Sequence, residues 1–354
     1  MSGVSEKGSY KVSSVPGAVR SLLGGALRPG GPSFLIVGAL LGGALVTGCG
    51  ALRAPTALEA AQADTVLALA RPLARFEDAT GVGAVPGGPV YVSDAGHNVI
   101  VRLLPGEGPD TSREAVLGGP GGAVGQFDAP ADVDPTNGLV IVVADAGNGR
   151  LQRFSDEFRH LETLPVGRGY AAGGEAPARP VFDARTGDTN DLGGGRPVAA
   201  REPAGDATYA LDAAAGHVLK WEDQRRTVRV VGGFSDGEGV LRDPVDLAVG
   251  SDGTLYVADA GRGAVMTYDR FGSFLVARAR GLAGNARAVA AGPSGRLYLA
   301  RPRSVLVFGR EGRLLRRVRL RLPAPAGAVV DVAPAERGLY VLTPQALFHV
   351  GRLL

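Results

Sequence analysis

PVDLAVGSDGTLYVADAGRGAVMTYDRFGSFLVARAR, residues 244–280, reads as four short strands separated by three turns. VDLAV (245–249) runs into a turn at Gly250–Gly253, TLYVAD (254–259) into one at Ala260–Gly263, and AVMTYD (264–269) into one at Arg270–Gly272. SFLVARA (273–279) closes the unit. Each turn carries Gly or Asp-Gly, which supplies the positive φ that a tight hairpin needs. Aligned on its tyrosine, the YVADAGRGAV stretch recurs from Tyr91, Val142, Tyr209, Tyr256, Tyr298 and Tyr340, at spacings of 51, 67, 47, 42 and 42 residues. A period of 40–50 residues with four strands in each unit is the sequence signature of a propeller.

Six units predict an all-β fold, a six-bladed β-propeller. The last unit offers only AVVDVA, GLYVLT and ALFHVG before the chain ends, and so lacks its outer strand. VLALARPLARF (66–76) precedes the first inner strand and belongs to no other unit. The expectation is that this N-terminal strand completes the last blade, closing the ring and covering its exposed edges. The 67-residue spacing marks an insertion at 167–197, rich in Gly, Ala and Arg, that reads as a surface loop between the second and third blades. A segment of that length either is disordered or covers a ligand.

The composition agrees. Hydrophobic residues make up 45% of the 354, yet only 6% are aromatic, and 55 glycines and 24 prolines punctuate short apolar runs. The net charge of +3 is concentrated at one end. Residues 1–48 hold Lys7, Lys11, Arg20 and Arg28 against Glu6, and the remainder is formally neutral. Nothing global argues for nucleic acid as a partner.

The single cysteine, Cys49, rules out an intrachain disulfide. It follows FLIVGALLGGALVTG (34–48), an uncharged apolar run of signal-peptide length behind a basic segment. V-T-G-C at 46–49 resembles the bacterial lipobox. That resemblance implies cleavage before Cys49 and fatty acylation (palmitate) of its thiol and new amino terminus. The competing reading is an uncleaved membrane anchor, since with Ala51 and Leu52 the run approaches spanning length. Under the first reading, 1–48 is a lipoprotein signal peptide, 49–63 a lipidated tether and 64–354 the propeller. Gly50 after the cysteine suits the outer membrane in a Gram-negative cell.

GGAVGQFDAPADVDPTNGLVIVVADAGNGRLQRFS (121–155) resembles an NHL repeat, with its glycine-rich loop, G-Q-F, Pro, D-V, a Gly before the strand, V-A-D, N-x-R and a final Phe. Residues 232–271 are a second good match, without the Gln and Asn; the other units match in strand pattern alone. The resemblance covers roughly 280 residues and implies a propeller, commonly six-bladed. It does not imply one function: family members include protein- and RNA-binding scaffolds, extracytoplasmic bacterial proteins and relatives with lyase or lactone-hydrolase activity.

Two sets of aspartates emerge from the repeat. Asp94, Asp145, Asp212 and Asp259 end the second strand of the first four units, beside a small-residue turn. A short carboxylate there accepts backbone N–H groups and fixes the turn, and four radial copies argue against catalysis. Ten residues before the aligned position, at the inner-strand start, stand Gly81, Asp132, Ala199, Asp246 and Ala288. With one deletion the sixth unit supplies Asp331. Asp132, Asp246 and Asp331 would thus stand about a third of a turn apart around one mouth of the channel. Such a set either caps local turns or holds a polar ligand or a cation such as calcium.

His97, His160, His217 and His349 form no H-x-H or H-x-x-x-H pair, and none opens an inner strand. This counts against the histidine-bound zinc of the peptide-amidating lyases that share the family's fold. No G-x-S-x-G is present. GRLLRRVRLRL (312–322) alternates Arg317, Arg319 and Arg321 with Val318, Leu320 and Leu322. As an outer strand it would show arginines to water, or to anionic headgroups, and leucines to the next blade. The function expected is that of a protein-binding scaffold held by lipid in the cell envelope, with a protein partner there. The alternative is a ligand-binding, hydrolase or lyase propeller using a cation held by Asp132, Asp246 and Asp331.

Overall fold

Short apolar runs ending in left-handed glycines fold as hairpins, and hairpins apolar on both faces must be covered on both. Blade four shows how this chain does it. In the computed structural model its strands are Pro244–Val249, Leu255–Asp259, Ala264–Tyr268 and Phe274–Arg278, in that spatial order. Along Leu255–Asp259 the pleat sends Leu255 and Val257 into the core shared with blade three, and Tyr256 and Ala258 into the core shared with blade five. Gly263 closes the second turn at φ 61°, a conformation that strains a residue bearing a Cβ.

The structure describes residues 64–353 except 70, 106–111, 136–137, 167–194, 204–206, 223, 225–226, 233–236, 293 and 352. The expected signal peptide and tether, and all but the last three residues of the expected 167–197 insertion, lie outside the described residues. The described residues form an all-β six-bladed propeller of five four-stranded sheets and one five-stranded sheet, without helices. Inner strands are Ala79–Ala84, Pro130–Asp134, Pro197–Arg201, Pro244–Val249, Ala288–Ala291 and Asp331–Ala335. Each packs against the inner strands on both sides, including Asp331–Ala335 against Ala79–Ala84, so the ring is closed. Six apolar clusters fill the six wedges between blades.

Two expectations are corrected. Pro197, assigned to the inserted loop, opens the inner strand of blade three instead, pairing with Asp212. The N-terminal strand 66–76 is two strands. Arg71–Arg75 is the outer strand of blade six, antiparallel to Ala346–Val350, and closes the ring as expected. Asp64–Leu69 leaves that sheet and runs parallel to the outer strand of blade five, Leu314–Arg321. That strand has eight residues where the outer strand of blade four has five, and it offers a long edge that the preceding segment covers.

Candidate functional site

The inner strands carry the polar residues that distinguish this ring from an apolar plug. Asp132, Asp246 and Asp331 are all buried, and each does the same thing. One carboxylate oxygen accepts the N–H of the following residue: Val133 at 2.8 Å, Leu247 at 2.7 Å and Val332 at 2.7 Å. The other crosses to the next blade and accepts a backbone N–H there: Ala200 at 2.9 Å, Val289 at 2.7 Å and Val82 at 2.7 Å. Three equivalent latches therefore tie blade two to three, four to five, and six to one.

The alternation of Asp with Gly or Ala has a steric reason. A Cβ on Gly81 would stand 2.6 Å from the Cα of Asp132 and 2.7 Å from its Oδ1. Ala199 and Ala288, small and buried, hold the same place before Asp246 and Asp331. A latch in one blade thus needs a small residue in the blade before it. At the junction of blades one and two, Thr80 Oγ1 donates instead to the Pro130 carbonyl at 2.6 Å.

Arg201, the last residue of blade three's inner strand, supplies the countercharge. Its Nη1 donates to Asp132 Oδ2, and its Nη2 lies 3.5 Å from Asp246 Oδ1. Burial works against its charge, but Asp132, Asp246, Asp134 and Asp331 together raise its pKa above that of free arginine. Burial pushes Asp246 up to about 7 against the pull of Arg201, with Asp132 adding to the rise. Burial, then Asp246 and Asp132, push Asp331 well above the ordinary carboxylate range. The polar layer extends one step along the strands. Asp134 accepts the Glu202 N–H at 2.6 Å, and Glu202 holds Arg153 through two hydrogen bonds at 2.6 and 2.5 Å. A metal ion fits this arrangement poorly. Every carboxylate oxygen of the three latches is already engaged with backbone or close to Arg201. Among the described residues no three His, Cys, Asp or Glu side chains are grouped to hold a metal.

The second aspartate set lies apart from this layer, one per blade at the turns. Asp94 accepts the Asp78 N–H at 3.1 Å and pairs with His97 at 2.9 Å. Asp145 accepts the Asp128 N–H at 2.8 Å and gathers Asn148, Arg150 and Gln152. Asp259 accepts from Arg242, Asp243 and Arg262. Asp212 holds the Ala215 N–H at 3.1 Å, while its Oδ2 is buried and has no hydrogen-bond partner among the described residues. His160 bonds Thr163, and His349 bonds the Arg337 carbonyl. Burial lowers the pKa of His217, against the pull of Asp212. The four histidines sit in different blades. Arg201 and Asp134 were missed from sequence; their one signal is a charge at the end of a buried inner strand, two residues after the aspartate position.

Sequence comparison adds no relatives: no family model and no curated protein matches. Structural comparison does. A calcium-binding protein, regucalcin, from Agrobacterium tumefaciens superposes with a TM-score of 0.54 at 14% identity, over 82% of this chain and 96% of that one. A gluconolactonase from Xanthomonas campestris gives 0.52 at 14% identity, over 84% and 94%. The RRP9 WD40 repeats give 0.53 at 12% identity, over 85% and 99%. At these identities the likeness is one of fold. The chain has the fold of a six-bladed β-propeller.

Proposed function

We propose that this chain is an NHL-type propeller lipoprotein, exported and anchored through lipid on Cys49, that serves as a protein-binding scaffold in the cell envelope. One observation supports the scaffold reading over an enzymatic one. The carboxylates at the inner strands, the natural place for propeller chemistry, are taken up by latches between blades and by Arg201. They stiffen the ring, which leaves recognition to its loops and outer surfaces. Lipid attachment is supported by the V-T-G-C sequence alone.

A second reading keeps the channel as a ligand or cation site for hydrolase or lyase chemistry. Four acidic groups, Asp132, Asp134, Asp246 and Asp331, surround one guanidinium there, and similar folds include a calcium-binding protein and a gluconolactonase. For calcium to enter, Arg201 would have to leave Asp132 and Asp246.

Two measurements test the proposal. Membrane fractions of cells fed an alkyne fatty acid should contain the labelled chain, and Cys49→Ser should abolish both label and anchoring. Cross-linking in intact envelopes should trap a discrete protein partner, unchanged by calcium or chelator. Saturable calcium binding by the purified chain, with no cross-linked partner, would favour the second reading.

A further inference from the structure

Blade five departs from blades one to four in three ways, and the three meet in one place. Its second strand ends in Arg301 where blades one to four have aspartate. Its second turn is only Pro302 and Arg303, against Ala260–Gly263 in blade four. Its outer strand, Leu314–Arg321, overruns that turn. Ser304, directly after the turn, pairs with Arg319, and the Arg303 carbonyl accepts the Leu320 N–H at 3.0 Å, which leaves Arg321 and Leu322 projecting past the hairpin. Directly opposed residues share a face of an antiparallel sheet, so the row Arg301, Ser304, Arg319 lies on one side. Arg317 and Arg321 join it through the two-residue pleat.

The result is a cleft of ≈ 490 Å³ lined by Arg301, Arg303, Ser304, Arg317, Arg319 and Arg321, and edged by Leu320 and Leu322, which belong to the core between blades five and six. Arg301 donates to Asn285. Among the described residues no carboxylate pairs with any of the five arginines. The guanidiniums also oppose one another: burial and the charge of Arg317 both lower the Arg301 pKa. Arginine is the residue whose planar fork fits phosphate with two parallel hydrogen bonds. Every polar side chain of the lining is a donor, Ser304 being able to accept as well. Five positive charges in one cleft call for an anion with several acceptor oxygens.

We propose that this cleft is a binding site for phosphate groups, carried either by anionic phospholipid headgroups or by free phosphate esters. The lipid source rests on the anchoring reading above, and one further feature connects the two. Asp64–Leu69, the first described strand, lies directly along the arginine strand, Thr65 opposite Arg317 and Leu67 opposite Arg319. The first strand after the expected tether therefore lies beside the cleft.

The test uses the full chain in neutral detergent, so that anchoring through Cys49 plays no part. Inorganic pyrophosphate is titrated calorimetrically, and retention is measured on beads coated with phosphatidylglycerol or with phosphatidylcholine. Binding to pyrophosphate or to phosphatidylglycerol, and not to phosphatidylcholine, is expected. It should weaken with salt and fall about fivefold for each arginine removed in Arg303→Gln and Arg317→Gln/Arg319→Gln. Arg242→Gln, exposed on blade four, should bind as the parent does. Pyrophosphate binding without bead retention assigns the site to free phosphate esters; the reverse assigns it to headgroups. Binding of neither probe, or equal losses in Arg242→Gln and in the cleft variants, overturns the proposal whether or not the chain is anchored.

Discussion

The guanidinium of Arg201 in blade three donates to the carboxylate of Asp132 in blade two, while that same carboxylate accepts the N–H of Ala200. One aspartate thus binds the neighbouring inner strand by backbone and by side chain at once. Removing one partner of a buried ion pair leaves an uncompensated charge, at a cost of ~3–5 kcal/mol. Arg201→Met should therefore cost stability of that order in urea unfolding. The loss should be larger at pH 8 than at pH 5, since protonation of Asp246, raised to about 7 by burial, relieves that stranded carboxylate.

The pH dependence of the parent protein has a definite sign. The Asp246 pKa rises from 3.8 to about 7 on folding. A carboxyl raised in the folded state favours folding while protonated in both states, below its unfolded pKa, and that contribution is lost as pH rises through the folded value. The Asp246 contribution should thus decline between pH 3.8 and about 7. Asp246→Asn should flatten this part of the profile, in part by easing the rise on Asp331, although it weakens the latch to Val289. Melting temperatures across that range, parent against variant, check it; parallel curves would refute it.

Much of this was legible in the sequence, for a physical reason. Propeller blades repeat, so the tyrosine of YVADAGRGAV serves as a ruler, and measuring back from it finds Asp132, Asp246 and Asp331. What the ruler could not show is what lies across a junction. That Asp132 needs Gly81 opposite, or that Arg201 reaches two blades, depends on spacing between strands 45 to 70 residues apart. The splitting of 66–76 was equally hidden, because a strand pattern does not say which edge it will join.

The close approach of blades one and two makes Gly81 a sensitive position. A methyl there would meet the backbone of Asp132 at 2.6 Å, and backbone cannot rotate away as a side chain can. Gly81→Ala should destabilise by about 1–3 kcal/mol, as overpacking does. Ala199→Gly at the matching site of blade three should cost only about 0.5–1 kcal/mol, an effect of backbone entropy. Chemical denaturation of the two variants side by side measures the difference.

The latch from Asp331 to Val82 closes the ring between the last blade and the first. Asp331→Ala leaves the Val82 N–H buried and unpaired, a loss of about 1–3 kcal/mol. Hydrogen exchange should quicken over residues 80–83 more than around Ala200 or Val289, whose latches are intact. Uniform quickening across the ring would instead mean that opening is global.

The two N-terminal strands should differ in what their loss does. Arg71–Arg75 is the fourth strand of blade six, and Ala74 is buried in the core between blades six and one with Val82 and Leu347. Deleting 71–75 bares the hydrogen-bonding edge of Ala346–Val350 and opens that core, so the protein should lose cooperative unfolding and associate through the exposed edge. Deleting 64–69 uncovers only the edge of Leu314–Arg321, whose alternating arginines oppose pairing with a second copy. That variant should stay monomeric with a nearly unchanged melting temperature. Size-exclusion chromatography with light scattering, beside a melting curve for each deletion, reads both outcomes. If the 64–69 deletion proves the more damaging, the parallel fifth strand of blade five, and not the closure of blade six, holds the N-terminal end of the ring.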